Sequence, residues 1–175
     1  MHKIHRLCHF LIGIPSSGKS TLAKKLLQID TNAVVVSTDA IRALLFGDES
    51  IQGDWLLIES EVFKQIELAV SLGKSVIYDA TNAKQEWRLS MLEKLGRYKN
   101  LQWIGWHVKT PLSTCLAWNR QRNRQVPEEI IEKMDMFLRE NPPTLAEGFA
   151  AVYRLNLAED NWDAELMEFW QKLSL

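Results

Sequence analysis

The sequence predicts an α/β fold, in which a five-stranded parallel sheet has helices on both faces. Short apolar stretches alternate along the chain with segments whose apolar residues have helical spacing, which is typical of strand–helix–strand units. Parallel sheets of this kind are buried on both faces, so their strands are mostly apolar. The length of 175 residues fits one domain, and no internal repeat divides the chain. We therefore expect a single domain over residues 1–175.

The first half of the chain contains three predicted strands, each followed by segments with helical spacing. Arg6–Ile12 is a mostly apolar strand, Ala33–Val36 is rich in β-branched residues, and Ser75–Tyr78 is a further short strand. Gly73 and Gly96 mark the ends of two helices. The predicted helices are Lys19–Gln28, Asp39–Phe46, Asp54–Leu72 and Lys84–Leu95.

The second half contains two more strands, Leu101–Val108 and Ala150–Leu155. One helix begins with a proline, which suits a first helical turn, and the next has two glutamates in its first turn, where the helix dipole favours acids. The predicted helices are Pro111–Arg122, Pro127–Leu138 and Asp160–Leu173. Ligands of such sheets bind beyond the carboxyl ends of the strands, and the polar motifs of this chain follow strands.

The segment Gly13–Ser20 follows the first strand, opens the first helix and matches the pattern G-x-x-x-x-G-K-[ST]. Its glycines let backbone N–H groups wrap an anion, and the helix N-terminus adds positive potential. Lys19 is expected to reach the β- and γ-phosphates of ATP, and the Ser20 hydroxyl to bind Mg²⁺. The alternative is a glycine-rich turn without a ligand. The motif predicts a P-loop NTPase fold, with ATP bound by Gly13, Pro15, Ser16, Ser17, Gly18, Lys19, Ser20 and Thr21.

Two aspartates follow the second and third strands, and we expect both near the phosphate loop because strand ends cluster there. Phosphoryl transfer needs one acid to accept the proton of the attacking hydroxyl and one near Mg²⁺. Asp39 has Arg42 three residues later, which places an acid and a cation on one helical face. Asp79 ends the third strand. The alternative interpretations are a helix N-cap for Asp39 and a loop acid that caps the next turn for Asp79.

Three arginines at alternate positions, Arg120, Arg122 and Arg124, precede the helix that begins at Pro127. One guanidinium group can donate two hydrogen bonds to the oxygens of a phosphate. A closing lid also excludes water that would hydrolyse ATP. We therefore interpret residues 118–127 as a small arginine-bearing lid. The alternative is a solvated basic helix end. Arg88 is a further candidate phosphate ligand.

The chain has 21 Lys and Arg and 22 Asp and Glu, a net charge of −1, which excludes a globally basic nucleic-acid coat protein. The charge is uneven, because residues 84–124 carry nine basic and two acidic side chains, whereas residues 140–175 carry two and seven. The two cysteines fit no disulfide or metal motif. Neither a signal peptide nor a long apolar run is present, so we expect a cytoplasmic protein without a membrane segment.

Taken together, these motifs resemble the polynucleotide-kinase-like P-loop kinases over about residues 6–155. The resemblance lies in Gly13–Thr21, Asp39–Arg42, Val76–Asn82 and Asn119–Ile131. It implies that Asp39 is the general base and that Arg122 contacts the transferring phosphate, with Arg120 and Arg124 as alternates.

The same resemblance implies that Asp79 lies near Mg²⁺, directly or through a water molecule, although Asp39 and Asp79 could exchange roles. It also implies an acceptor site formed by Arg42, Asp79, Thr81 and Asn82, to which we add Arg88. Two departures concern the substrate. Trp118 stands where relatives often carry a basic residue, and Thr38 replaces the second acid of the phage-type nucleic-acid kinase. Both weaken the expectation of a polynucleotide acceptor, but not that of phosphoryl transfer.

The sequence therefore predicts a kinase that uses ATP and Mg²⁺ to phosphorylate a hydroxyl group. The 5′-hydroxyl of a nucleic acid or nucleotide is the favoured acceptor. One alternative is a small-molecule acceptor, such as a sugar, a nucleotide sugar or an antibiotic. Another, from a different class, is a regulatory module that binds nucleotide without transferring phosphate. The oligomeric state is left open.

Overall fold

A computed structural model, which describes residues 5–173, contains one parallel sheet of five strands. The strands are β1 (Arg6–Ile12), β2 (Ala33–Ser37), β3 (Ser75–Asp79), β4 (Leu101–Val108) and β5 (Ala151–Leu155). Their order in the sheet is β2-β3-β1-β4-β5. The fold class is confirmed, and each strand lies within one residue of its predicted bounds.

Seven α-helices connect and cover the strands in the described part of the chain. They are α1 (Lys19–Ile29), α2 (Thr38–Phe46), α3 (Trp55–Ser71), α4 (Gln85–Leu95), α5 (Leu112–Arg120), α6 (Glu128–Glu140) and α7 (Trp162–Leu173). Helix α5 ends two residues earlier than predicted, and α6 begins after Pro127, whose backbone is extended. Residues 121–127 are thus a connecting loop. None of the described helices is long and apolar enough to cross a membrane.

The sheet separates two hydrophobic clusters, one on each face. Phe10 packs edge-on against the rings of Tyr78, Trp103 and Phe149 in the first cluster. Trp106 belongs to the second cluster, where its ring contacts that of Tyr153. Trp103 and Trp106 lie three residues apart on one strand, so they point to opposite faces, as the strand period requires. Burial on both faces explains why the strands are apolar throughout.

The strand order determines which loops meet at the carboxyl edge of the sheet. β1 lies at the centre, between β3 and β4, and β2 lies beyond β3. The last paired residues of β2 and β3 are Ser37 and Asp79, which are directly opposite each other. The phosphate loop after β1 therefore has Asp79 at its side, and the start of α2 lies one strand further away.

Candidate active site

The phosphate loop, Gly13–Ser20, is tightly packed, and two of its glycines lie where a side chain would not fit. A Cβ atom on Gly13 would lie 2.8 Å from Ser17 Oγ and 3.1 Å from the Val108 carbonyl oxygen. Gly18 has φ +102° in the left-handed region, and a Cβ there would lie 2.6 Å from Leu157 Cδ2. Ser16 has φ 60°, which is uncommon for a residue with a side chain and typical of functional loops. The loop is therefore a tight cradle rather than an ordinary turn.

Backbone contacts fix the cradle to both neighbouring strands. The Gly13 N–H donates to the Thr81 carbonyl at 3.0 Å, which joins the loop to the end of β3. The Thr110 hydroxyl donates to the Ser17 carbonyl at 2.7 Å and accepts from the Leu157 N–H at 3.2 Å. Sequence reasoning missed Thr110, and its position just after β4 was the available signal. Ser17 Oγ is buried and has no hydrogen-bond partner among residues 5–173.

The Lys19 side chain is influenced by three other charged side chains. Its Nζ donates to the Ile14 carbonyl at 2.9 Å, so the side chain folds back across the phosphate loop. Burial lowers the pKa of Lys19, the carboxylates of Asp79 and Asp39 oppose this shift, and Arg122 adds to it. Two acids and one arginine from separate segments are therefore close enough to Lys19 to change its titration.

Asp79 and Asp39 differ in exposure. Asp79 is partly buried, and its pKa is raised chiefly by burial; Lys19 opposes that shift, whereas Asp39 adds to it. The Asp39 carboxyl lies in the first turn of α2 and is 59% exposed. It is not the N-cap of this helix, because the Ser37 hydroxyl accepts from the Ala40 N–H at 3.3 Å. Asp39 is therefore free to face a solvent-borne group.

Arg42 pairs with Asp39, as its spacing on the helix predicts. Its Nη1 donates to Asp39 Oδ1 at 2.9 Å, and its side chain is 15% exposed. Its Nε is buried without a hydrogen-bond partner in the described part of the chain. The guanidinium thus keeps donor capacity beside the exposed carboxylate.

The loop of residues 121–127 lies over the phosphate loop and is closed at its base by Asn119. The Asn119 amide donates to the Val126 carbonyl at 2.8 Å, and its oxygen accepts from the Val126 N–H at 2.9 Å. This pair of bonds forms a clasp between the end of α5 and the residue before Pro127. Asn119 belonged to the motif that carried the resemblance, but no positioning role was predicted for it.

The three lid arginines have different partners. Arg122 Nη1 donates to Ser16 Oγ at 3.3 Å, so Arg122 reaches the phosphate loop. Arg120 donates twice to the Glu128 carboxylate, at 2.7 and 3.1 Å. Arg124 donates to Glu49 Oε1 at 2.5 Å. The expectation that Arg120 and Arg124 bind ATP is not supported in this arrangement, because their guanidinium groups are held by carboxylates.

Two predicted acceptor ligands are structural instead. Arg88 is fully buried, and its Nε and Nη2 donate to the Glu147 carboxylate at 2.7 and 2.8 Å. The Asn82 side chain is also buried and donates to the Leu11 carbonyl at 2.7 Å, which braces the end of β1. Thr81 contributes its carbonyl to Gly13, as described above. The Arg88 guanidinium and the Asn82 amide are therefore both used within the protein, and neither is exposed to an acceptor in this structure.

The phosphate loop has few protein oxygen atoms nearby that could bind a metal ion, and this number suits magnesium. No cluster of three His, Cys, Asp or Glu side chains that could hold a metal ion occurs within residues 5–173. Mg²⁺ needs no such cluster, because it usually binds one or two protein oxygens together with phosphate oxygens and water. Ser20 is exposed in the first turn of α1, and Asp79 lies at the end of the neighbouring strand β3. These residue types and positions fit a magnesium ion that is held mainly by a bound nucleotide.

Comparison with known proteins identifies relatives that are kinases. A family model described as an AAA domain matches residues 8–141. L-seryl-tRNA(Sec) kinase of Methanococcus maripaludis is 28% identical over 129 residues, which are 71% of this chain and 49% of that protein. A chain of the Pnkp1/Rnl/Hen1 RNA repair complex has a TM-score of 0.63 and 25% identity, over 80% of this chain and 46% of that chain. Deoxyadenosine kinase from M. mycoides, solved with dCMP and dCDP, has a TM-score of 0.62 at 13% identity, over 95% and 100% of the two chains.

The share of each relative that this chain covers differs between the matches. The chain spans about half the length of the tRNA kinase and of the RNA repair chain. The match to deoxyadenosine kinase covers nearly all of both chains, and at its low identity it shows the fold alone. The architecture is that of a P-loop kinase.

Proposed function

This chain belongs to the AAA domain family whose model matches residues 8–141, and from that membership we propose that it is an ATP-dependent kinase of a hydroxyl acceptor. The observation that carries the proposal is the arrangement around the phosphate loop: Arg122 donates to Ser16 of that loop, Asp79 ends the neighbouring strand β3, and Asp39 lies in the first turn of the helix that follows β2. A nucleotide-binding module needs the cradle and its lysine, whereas an exposed acid beside them is what phosphoryl transfer requires.

The reaction assigns one role to each of these side chains. The acceptor hydroxyl oxygen attacks the γ-phosphorus, a new P–O bond forms, and the bond to the β–γ bridging oxygen breaks, so that ADP leaves. Asp39 accepts the hydroxyl proton, because its carboxylate is exposed and lies in the first turn of the helix that follows β2. Lys19 and Arg122 compensate the charge on the transferring phosphate. Catalysis is then mostly positioning and charge compensation.

Ser20 and Asp79 are the residues that would hold Mg²⁺ with the nucleotide. Bound there, the ion would neutralise phosphate charge and orient the phosphate oxygens. Burial raises the pKa of Asp79, and a nearby cation would favour its ionised form. In this assignment Asp79 serves the nucleotide side, and the exposed Asp39 serves the acceptor side.

For the acceptor we propose the 5′-hydroxyl of a nucleic acid or nucleotide. The similarity to a seryl-tRNA kinase and to a chain of an RNA repair complex supports a nucleic-acid acceptor. Arg42 supports a phosphorylated one, because its partly exposed guanidinium lies beside the proposed base.

A small-molecule acceptor is the second candidate, and one observation favours it. Residues 43–63, which run from α2 through its turn into α3, contain five acids and no Lys or Arg. A long polyanion crossing this side of the molecule would meet repulsion rather than the basic groove that nucleic acids usually require. A short acceptor avoids this segment.

Transfer of the γ-phosphate from labelled ATP tests the proposal. The acceptors would be DNA and RNA oligonucleotides with 5′-hydroxyl ends, nucleoside 3′-phosphates, and a panel of sugars and alcohols. Lys19→Ala and Asp39→Asn should lose transfer by at least a hundredfold, a magnitude typical for a base that accepts the attacking proton. Asp163→Asn, which changes an exposed aspartate in the first turn of α7, is the matched control and should retain activity.

Each result has a distinct meaning. If a 5′ end is labelled by the wild-type protein and not by Lys19→Ala or Asp39→Asn, the result supports a nucleic-acid acceptor. Label confined to a sugar or alcohol supports the second candidate and keeps the assigned roles. A third result is that the protein binds ATP, transfers phosphate to no acceptor, and binds ATP equally well after Asp39→Asn. This result would contradict the kinase proposal and favour a regulatory nucleotide-binding module.

A further inference from the structure

The loop of residues 121–127, called the lid loop from here on, also contacts the turn between α2 and α3. Arg124 Nη1 donates to Glu49 Oε1 at 2.5 Å, and Arg124 Nη2 lies 3.5 Å from the Glu49 carbonyl oxygen. Glu49 belongs to the turn between α2 and α3, 75 residues earlier in the chain. The two side chains are 36% and 43% exposed, so they form a surface ion pair between two segments that flank the proposed site.

The turn that carries Glu49 packs against the end of α2. Gly47 ends α2 with φ +80°, and Asp48 Oδ1 accepts from the Ser50 N–H at 2.6 Å. Gly53 has φ +60° and lies so close to the Phe46 ring that a Cβ at this position would overlap the ring. The turn is therefore folded back onto the last residue of α2, the helix that carries Asp39 and Arg42.

The lid loop is fixed at its base and reaches out at its tip. The Asn119 clasp on Val126 and the Arg120 pair with Glu128 close the base of the loop. Between them, Arg122 reaches Ser16 on the nucleotide side, and Arg124 reaches Glu49 on the acceptor side. Alternate arginines of one short loop therefore contact the two halves of the proposed site.

We propose that Glu49 and Arg124 form a latch that ties the lid to the helix of the proposed general base. This inference rests on the proposed function and assigns Glu49 as a positioning residue that acts through Arg124. With the latch formed, Arg122 is held over the phosphate loop, and water is kept from the transferring phosphate. Movement of α2 when an acceptor binds is then transmitted to the lid.

Limited trypsin digestion tests the latch without any need for catalysis. Arg122 is a cleavage site in the lid loop, and the rate of cut after it, followed by mass spectrometry, reports how often the lid opens. Glu49→Gln should raise this rate roughly two- to fivefold, the range that an exposed ion pair supports. Glu67→Gln weakens another exposed pair, with Arg97, that joins α3 to the end of α4, and should leave the rate unchanged.

Kinetics and charge reversal complete the test. Glu49→Gln should raise ATP hydrolysis relative to transfer and raise the KM for acceptor, with little change in the KM for ATP. Arg124→Glu should do the same, and the double variant Glu49→Arg with Arg124→Glu should restore both the ratio and slow cleavage after Arg122. Cleavage of Glu49→Gln at the wild-type rate would overturn the latch. Absence of transfer with every acceptor would count against the proposed function alone, because the digestion result does not depend on it.

Discussion

At the scale of single residues, Arg88 shows how local sequence can mislead. It precedes Met91, Leu92 and Leu95 by three, four and seven positions, so it lies on the buried face of α4. That spacing was available in the sequence, yet its charge suggested a ligand for phosphate. The carboxylate that neutralises Arg88 is Glu147, 59 residues away, and only the fold brings them together. A buried arginine is compatible with folding when such a partner is present.

Removal of the negative charge from Glu147 should therefore destabilise the protein strongly. Glu147→Gln leaves the Arg88 guanidinium buried without a counter-charge, and we expect a loss of about 3–5 kcal/mol in the free energy of unfolding. Urea denaturation measures it. Glu128→Gln breaks the exposed pair with Arg120 and should leave the free energy of unfolding nearly unchanged. Equal effects of the two substitutions would contradict the structural role of Arg88.

At the scale of elements, the lid depends on how α5 ends. Sequence periodicity extended this helix to Arg122, whereas it stops at Arg120. The clasp between Asn119 and Val126 replaces helical hydrogen bonds with a side-chain bridge across the loop. Arg122 and Arg124 are thereby placed on a short loop, which can move, rather than on a rigid helix.

Asn119→Asp is a selective test of the clasp. The substituted side chain can still accept from the Val126 N–H, but its carboxylate cannot donate to the Val126 carbonyl. We expect a loss of about 1–3 kcal/mol in the local stability of the loop, because a polar group loses its partner. Hydrogen exchange at the amides of residues 121–126 should accelerate accordingly, while exchange in β1 should not change. Uniform acceleration across the sheet would mean that Asn119 supports the whole fold instead.

At the scale of the whole molecule, the sequence predicted the strands and helices and the strand ends at which its motifs lie. Gly13–Thr21 and Asp39 follow strands directly, so short motifs and the rule of strand ends were enough to locate them. The partners that hold the site in place were not predictable in this way. Thr110 bonds to Ser17, 93 residues away, and Arg122 bonds to Ser16, 106 residues away. Such contacts depend on strand order and helix packing, which no local pattern specifies.

The buried His107 should make the stability of the whole chain sensitive to acid. Burial lowers its pKa from 6.5 to about 4, and Arg154, Lys109 and Arg88 add to the shift. Between these values the unfolded chain takes up a proton and the folded chain does not, so stability falls as the pH falls. We expect a loss of about 2 kcal/mol between pH 7 and pH 5 from this group.

His107→Leu should remove that part of the pH dependence. Urea unfolding of both proteins at pH 7 and pH 5 measures it, and the variant should lose less stability between the two values than the parent does. A leucine leaves no ionisable group on this face of β4 and fills a similar volume. An identical loss in both proteins would show that His107 is not the group responsible.

The phosphate loop packs against Leu157, a residue outside the region that the family model matches. Leu157 lies just beyond β5, sixteen residues past the end of the family match at residue 141, yet its side chain contacts Gly18 and its N–H donates to Thr110. The floor of the phosphate loop therefore comes from a part of the polypeptide that motif matching leaves out. A protein shortened to the matched region would keep every motif residue of the cradle but would lose the Leu157 contacts with Gly18 and Thr110. The segment that a family model matches is therefore shorter than the segment that builds the phosphate loop.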